Sequence, residues 1–154
     1  VDPFEQLRAA DVMVTAVDTL PASMTVDEAV AFFTDGNHRH KSYPLVDTSG
    51  HVVGMAARAD VLRWSTERSH ETATLFDAIS DSSPTVVHAQ DVIGRVADLM
   101  VERDVGRIPV VDAQGRLVGL VARKDLLRMR AARKAEETER RGYLGANGKA
   151  LANR

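Results

Sequence analysis

The chain has 154 residues but no cysteine, only 5% aromatic residues and almost no excess of charge. Without cysteine there is no disulfide scaffold, thiolate metal site or cysteine nucleophile, and this absence fits a reducing compartment such as the cytoplasm. The formal net charge of −2 does not favour bulk attraction to nucleic acid. No apolar run approaches the roughly 20 residues of a membrane span, and no signal-peptide pattern is present.

The chain begins with Val1 rather than methionine. We therefore expect a piece of a longer protein, or a processed chain, in which residues 1–10 are a lead-in. Such a protein is free to contain a membrane part elsewhere. Its length suits one domain or two half-domains that need neither disulfide nor metal to fold.

An internal repeat organises the sequence. Pro44–Arg63 and Pro109–Arg128, which are 65 positions apart, are identical at eleven of twenty positions. Upstream the match continues with a shift of 66, and Thr19 pairs with Thr85. One extra residue in the loop "TDGNHRHKS" explains the change of shift, so the chain is a tandem duplication.

Each repeat predicts the order β-α-β-β-α. Thr25 and Glu28 form a capping box before a helix, and Asp91 is the candidate N-cap in the second repeat. The segments "YPLVDTSGHVVGM" and "IPVVDAQGRLVGLV" read as strand, turn, strand, and a helix follows each. Short strands at Thr19–Pro21 and Thr85–His88 lead in.

These elements predict a mixed α/β (α+β) fold of two units related by a pseudo-twofold axis, with sheets packed together and helices outside. We expect the first unit at residues 11–66, a linker at 67–79 and the second unit at 80–131. Residues 132–154 should form a charged helical tail that is frayed or disordered at its end.

The duplicated pattern h-P-h-V-D, turn, G-h-h-G-h-h-A-R-x-D-h-L resembles a pair of CBS domains, the tandem arrangement called a Bateman module. The resemblance covers about residues 10–130. The first repeat is further similar to the cytosolic C-terminal CBS pair of bacterial ClC-type chloride channels and transporters. This likeness implies a host protein attached at the N-terminal side, and a soluble module at the cytosolic face of a membrane.

The corner "G-x-x-x-R-x-D" occurs at Gly54–Asp60 and again at Gly119–Asp125. The glycines permit close approach of another chain segment or a ligand. The first turn of a helix presents free N–H groups to an anion, and an aspartate there can accept hydrogen bonds from two vicinal hydroxyls, as in a ribose. Tyr43 beside Pro44 offers a flat surface for a purine.

In the resembled family, adenine nucleotides bind between the two units, which implies ATP, ADP or AMP as regulatory ligand and no required cofactor. The resemblance implies two sites. Site A comprises Thr19, Leu20, Lys41, Tyr43, Pro44, Arg123, Lys124 and Asp125. Site B comprises Thr85, Val86, Arg107, Ile108, Pro109, Arg58 and Asp60.

Site A is the better candidate because it has an aromatic residue and the two lysines Lys41 and Lys124. Ala57 and Ala122 stand where many family members carry serine or threonine, which removes one hydrogen bond to phosphate or ribose, about 1 kcal/mol. Arg58 and Arg123 offer compensating donors.

Simpler interpretations stay open for these residues. Asp60 and Asp125 can be helix-start residues, Tyr43 can be strand packing, and the arginines can be paired with neighbouring aspartates. The cluster "HRHK", His38 to Lys41, is a weak metal signal without a nearby carboxylate and reads first as a solvated loop. Trp64 reads as a packing anchor.

No catalytic motif and no metal site is predicted, so we do not expect an enzyme. The sequence favours a regulatory module that senses an adenosyl ligand for an attached host protein, and we expect a homodimer. The alternative is a constitutive structural or dimerisation module that binds no nucleotide.

Overall fold

The computed structural model describes residues 3–38, 40–67, 73–79 and 83–152. A 3-10 helix at Pro3–Gln6 precedes the first α-helix. The helices are α1 Ala9–Val12, α2 Val26–Thr34, α3 Arg58–Ser65, α4 Leu75–Ala78, α5 Ile93–Arg103 and α6 Arg123–Ala152. The strands are β1 Leu20–Pro21, β2 Ser42–Val46, β3 Val52–Ala57, β4 Val87–His88, β5 Arg107–Val111 and β6 Leu117–Ala122.

The strands form two three-stranded sheets with the orders β1-β2-β3 and β4-β5-β6. In each sheet the short first strand is parallel to the second, and the second is antiparallel to the third. The register is the same in both, because Ser42 pairs with Ala57 and Arg107 pairs with Ala122. The predicted β-α-β-β-α repeat and the mixed α/β class are confirmed.

The helix starts of the two repeats differ. The Thr25 hydroxyl accepts from the Glu28 N–H at 3.1 Å, as the capping box predicts. The prediction of Asp91 as N-cap is wrong, because α5 begins at Ile93 with Val92 as its N-cap. The Asp91 carboxylate instead accepts from the His88 N–H at 2.9 Å. The chain near residue 92 is held by the N-terminal segment, since the Ile93 N–H donates to the Leu7 carbonyl at 2.6 Å.

The buried residues form two separate clusters, and each repeat contributes its leading helix to the other's cluster. Ala9 and Val12 of α1 pack with Val96 and Ile108 of the second repeat. Leu75 of α4 is fully buried among residues of the first repeat. The two repeats thus close each other's cores through these short helices, a contact that the sequence boundaries did not predict.

The hairpin turns of the two repeats also bind each other. The Val52 N–H donates to the Gly115 carbonyl at 3.1 Å, and the Leu117 N–H donates to the Gly50 carbonyl at 3.0 Å. Both glycines have positive φ, 85° and 83°, which a side chain disfavours. The two sheets are therefore joined at their turns by backbone hydrogen bonds.

One aspartate organises each turn. Asp47 accepts from the N–H groups of Ser49 and His51, each at 2.9 Å, and Asp112 does the same in the second repeat. The backbone hydrogen bond from His51 is the main cause that lowers the pKa of Asp47, and that from Arg116 lowers the pKa of Asp112. Both turns are thus stabilised by ionised carboxylates.

The C-terminal tail differs from the expectation of a frayed or disordered end. In the structure α6 continues without interruption from Arg123 to Ala152. No proline occurs after Pro109, and the three glycines between positions 142 and 148 each cost about 1 kcal/mol without ending the helix. Among the described residues, no helix combines the length and apolar character needed to cross a bilayer.

Candidate functional site

Two clefts lie where the repeats meet, and each is named here for the sequence-predicted site that it contains. Cleft A, about 300 Å³, is lined by side chains that include Asp18, His40, Arg107, Lys124, Asp125 and Arg128. Cleft B, about 590 Å³, is lined by side chains that include Asp60, Arg63, Trp64, Thr85, Arg103 and Arg107. Both clefts are open to solvent and each joins residues of both repeats.

The clefts are equivalent under the duplication. Asp125 and Arg128 of cleft A correspond, 65 positions earlier, to Asp60 and Arg63 of cleft B. The helix start that carries each aspartate faces the lead-in strand of its own cleft, Asp18 in one and Thr85 in the other. The sequence prediction of two related sites at the repeated corner therefore has a counterpart in the geometry.

The two corner aspartates are held differently. Asp125 accepts from the Ala122 N–H at 3.2 Å, which is the helix-start role that the sequence left open. Asp60 forms an ion pair with Arg63 at 3.1 Å. Each carboxylate also lines its cleft. The helix-start role and a ligand role are thus compatible at both positions.

The structure distributes the predicted site A over three adjoining cavities. Lys124 and Asp125 line cleft A, whereas Lys41 lines a neighbouring cavity of about 350 Å³ together with Lys124. Thr19 and Tyr43 line a third cavity of about 380 Å³. The remaining predicted residues line none of these three: Leu20 and Pro44 are buried, and Arg123 is exposed.

Tyr43 packs in the first core. It is 3% exposed, and its hydroxyl accepts from the His40 N–H at 3.3 Å. Its ring meets that of Phe32 edge to face with 5.2 Å between centroids. The strand-packing interpretation therefore describes Tyr43, and in this structure its ring offers no free face on which a purine could lie.

The predicted site B is brought together in part. Asp60, Thr85 and Arg107 line cleft B. The other four predicted residues do not: Ile108 and Pro109 are buried, Val86 is half-buried, and Arg58 is exposed.

Arg107 is the residue that the sequence placed least completely. It lines both clefts and also the cavity beside Lys41. Its register partner Ala122 corresponds to Ala57, so its counterpart in the first repeat is Ser42 and not Lys41. The structure thus has one arginine between two clefts, with no charged equivalent.

The surroundings of Arg107 leave its charge only partly compensated. The guanidinium is half-buried, and desolvation lowers its pKa below the ordinary value against the opposing effect of Tyr43, Asp125 and Asp18. Its Nη1 lies 3.2 Å from His40 Nδ1. Its buried Nε has no hydrogen-bond partner in the described part of the chain.

Several cleft residues were missed by sequence reasoning. Arg63 and Arg128 could have been found, because each follows its aspartate by one helical turn and so shares its face. His40 and Asp18 carry no such signal. They reach cleft A only through tertiary packing, and His40 is half-buried rather than part of a solvated loop.

The repeated glycines and alanines also gain a physical explanation. A side chain at Gly54 would collide with Ile79, and one at Gly119 would collide with Met13. The close approach predicted for these glycines is therefore made by the leading segment of the opposite repeat. Ala57 is the N-cap of α3 and provides no side-chain hydrogen bond. Within the described residues no group of three or more histidines or carboxylates is placed to hold a metal ion.

The model of the CBS domain family matches residues 9–67 and 75–132. The matches cover most of the sequence, so the chain belongs to the CBS domain family. The two matched segments correspond to the two repeats. The second one starts at α4, whose buried Leu75 packs into the first repeat.

Curated relatives place such pairs in very different proteins. A CBS domain-containing protein of Dictyostelium discoideum is 30% identical over 128 residues, which cover 71% of this chain and 81% of that protein. A homoserine O-acetyltransferase of Methanohalobium evestigatum is 22% identical over 120 residues, 78% of this chain and 23% of that enzyme. The chain thus spans about a quarter of the length of some relatives.

Solved structures share the fold. CBSX2 in complex with AMP superposes with a TM-score of 0.70 at 23% identity, covering 83% of this chain and 98% of that one. The acetoin utilization protein AcuB of Vibrio cholerae reaches 0.68 at 24% identity, covering 87% and 97%. The CBS pair of protein MJ0100, with 5-methylthioadenosine and S-adenosyl-L-methionine, reaches 0.62 at 22% identity, covering 82% and 97%.

Proposed function

We propose that this CBS pair is a regulatory module that binds an adenine nucleotide or a related adenosyl ligand between its repeats and modulates an attached host protein. One observation carries the proposal. Each cleft combines an aspartate in the first turn of a helix with cationic side chains, one of them from the other repeat. The carboxylate suits ribose hydroxyls, and the cations and helix start suit phosphate.

The solved neighbours support the class of ligand. CBSX2 was crystallised with AMP, and the pair from MJ0100 with 5-methylthioadenosine and S-adenosyl-L-methionine. These share the adenosyl group and differ in charge and tail. For the present chain we propose AMP, ADP or ATP, because its clefts are rich in cations.

We propose cleft A as the principal site. Lys124, Arg128 and Arg107 line it, and Lys41 lines the cavity next to it. The purine contact assigned to Tyr43 is replaced in this proposal by the aliphatic lining of Val17 and Leu120. Arg123 remains a donor at the mouth, where it now contacts the Val105 carbonyl at 3.4 Å.

The proposed mechanism is a shift between two relative positions of the repeats. A ligand that contacts both repeats binds one of their arrangements more tightly and so populates it. The shift is limited by the difference in affinity between the two arrangements. Since α1 packs on the second repeat, any tilt between repeats is passed to the N-terminal segment. The host that we propose there is a chloride-transporting membrane domain, and the module is proposed to act as a homodimer.

Isothermal titration with ATP, ADP and AMP tests the proposal. We expect saturable binding in the micromolar to millimolar range, about −8 to −4 kcal/mol. Asp125→Ala should abolish the stronger step, whereas Asp60→Ala should leave it. Circular dichroism checks that both variants remain folded. Unchanged binding in Asp125→Ala would refute cleft A as the principal site, and no binding by the parent chain would refute nucleotide sensing.

A second candidate function is a constitutive dimerisation module that binds no nucleotide. Two observations favour it: the hydroxyl-free helix start at Ala57, and the equivalent exposed leucines Leu62 and Leu127, 38% and 63% accessible. Under this function Leu127→Glu would dissociate the dimer while millimolar nucleotide leaves the melting temperature of the parent unchanged. A nucleotide-dependent rise in melting temperature would reject it.

A further inference from the structure

We infer that Arg107 is an anion-binding side chain shared by both clefts, so that an anionic ligand in one cleft weakens anionic binding in the other. The inference rests on the proposed function and adds regulation to it. It begins from position: Arg107, at the start of β5, lines cleft A and cleft B at once.

The guanidinium has donors to spare for a ligand. Its Nη1 contacts His40 Nδ1 at 3.2 Å, and its buried Nε has no partner among the described residues. A guanidinium carries five N–H donors in a rigid planar fork that fits phosphate oxygens. A half-buried charge with an unpaired donor gains more from an arriving anion than a solvated lysine does, because part of its desolvation is already present.

The charge around each cleft decides which one takes Arg107 first. In cleft A the cations Lys124 and Arg128 face the carboxylates Asp18 and Asp125, so without Arg107 the charged lining is balanced. In cleft B the Asp60–Arg63 ion pair is self-compensating at 3.1 Å, and Arg103 remains as a further cation. Cleft A therefore depends on Arg107 for attraction to an anion, whereas cleft B retains one cation of its own.

Sharing follows from the asymmetry of the repeats. The counterpart of Arg107 is Ser42, so the duplication supplies a single guanidinium for two equivalent clefts. A bidentate contact to a phosphate in cleft A uses the fork, and a second phosphate in cleft B then meets Arg103 without it. Such coupling is reciprocal by thermodynamic necessity.

AMP titration of four chains tests the inference: the parent, Arg107→Gln, Asp125→Asn, and the double variant. In the parent we expect a strong step in cleft A and a weaker one in cleft B. Arg107→Gln should weaken the strong step at least about fivefold, the lower end of typical coupling, and leave the weak step unchanged. Asp125→Asn, which disables cleft A, should strengthen the remaining step by a similar factor, and the double variant should lose that gain.

Two controls make the result specific. Arg95→Gln removes an exposed arginine on α5 that lines neither cleft, and should leave both steps unchanged. Adenosine lacks the phosphate, so its binding should not respond to Arg107→Gln. The inference is overturned if Arg107→Gln leaves the strong AMP step unchanged, or if the step remaining in Asp125→Asn equals the weak step of the parent.

Inorganic pyrophosphate separates this inference from the proposed function. If the parent binds no AMP, nucleotide sensing fails, but saturable pyrophosphate binding that disappears in Arg107→Gln would keep Arg107 as a shared anion ligand. If the parent binds neither AMP nor pyrophosphate, both fail. If AMP binds and Arg107→Gln changes nothing, only the inference about Arg107 fails.

Discussion

Cleft A and cleft B began as copies of one corner, and their differences are concentrated in polar side chains. Asp125 and Asp60 occupy equivalent positions, yet the first caps its helix and the second is paired with Arg63. Lys124 corresponds to Ala59, and Arg107 corresponds to Ser42. The backbone register and the glycine contacts are the same in both repeats.

The comparison teaches that the duplication is constrained by packing and free at the ligand-facing positions. A sheet register cannot shift without moving every side chain to the opposite face. A cleft side chain can change without such a consequence. The chain thus presents two clefts of one geometry and different charge, which is a route to two affinities in one module.

The largest expected effect concerns the helices exchanged between the repeats. Leu75→Ala should lower the free energy of unfolding by about 2–5 kcal/mol, because Leu75 is fully buried in the first repeat's core. Val12→Ala in α1 removes fewer buried carbons and should cost less. Denaturant unfolding measures both, and Phe76→Ala, at a half-exposed neighbour, should change stability by no more than about 0.5 kcal/mol. Equal losses for Leu75→Ala and Phe76→Ala would show that α4 is not part of that core.

The equivalent glycines should differ when a methyl group is added. Gly119→Ala would place its Cβ 3.0 Å from the backbone oxygen of Val14 as well as against Met13. Gly54→Ala meets only the flexible side chain of Ile79. We expect a loss of about 1–3 kcal/mol for Gly119→Ala and a smaller one for Gly54→Ala in urea unfolding. A larger loss for Gly54→Ala would mean that Ile79 is the more rigid neighbour.

The alanines at the helix starts offer a gain of stability. Ala57→Ser should supply the missing N-cap hydrogen bond of α3 and stabilise the chain by about 0.5–2 kcal/mol. Ala122→Ser should gain less, because Ala122 is 4% exposed and its N–H is already bound by Asp125. Thermal melting of the two variants gives the comparison. A greater rise for Ala122→Ser would show that its surroundings accommodate the hydroxyl after all.

The smallest expected effect is the acid sensitivity of the paired turns. The pKa values of Asp47 and Asp112 are lowered from 3.8 by backbone hydrogen bonds from His51 and Arg116. Their contribution to stability is therefore complete above the unfolded-state pKa and is lost as the pH falls through the lower folded-state value.

Urea unfolding between pH 5 and about pH 2 measures this loss, since unperturbed aspartate titrates near pH 3.9. Asp47→Asn should reduce the loss of stability with acid by about half of what the double variant with Asp112→Asn does. The exposed Asp27 provides a control, and Asp27→Asn should leave the profile unchanged. An unaltered profile in the double variant would show that other carboxylates govern acid unfolding.

Local chemistry explains why much of the fold was predictable. The repeat itself, the strand-turn-strand segments and the Thr25 capping box depend on residues within a few positions of one another. The Asp91 cap failed for the opposite reason. Its helix start is contacted by Leu7, which lies 86 positions earlier, so a nonlocal hydrogen bond displaced the local preference.

The candidate site divides along the same line. Asp60, Asp125 and Lys124 belong to a motif that repeats in the sequence, and they line the clefts. Tyr43 was expected at the ligand because tyrosine beside proline suits a purine, but nothing in the local sequence reveals that its ring is buried against Phe32. His40 and Asp18 have no motif, so only packing could reveal them.

By itself the sequence determined two copies of one β-α-β-β-α unit and an aspartate at the same helix start in each, because these follow from periodicity, turn residues and duplication. Only the tertiary structure decided which repeat each short leading helix completes, and that Arg107 stands between two clefts. The physical reason is that burial and shared contacts depend on segments far apart in the chain. Their approach is governed by the packing of whole elements and not by any local preference.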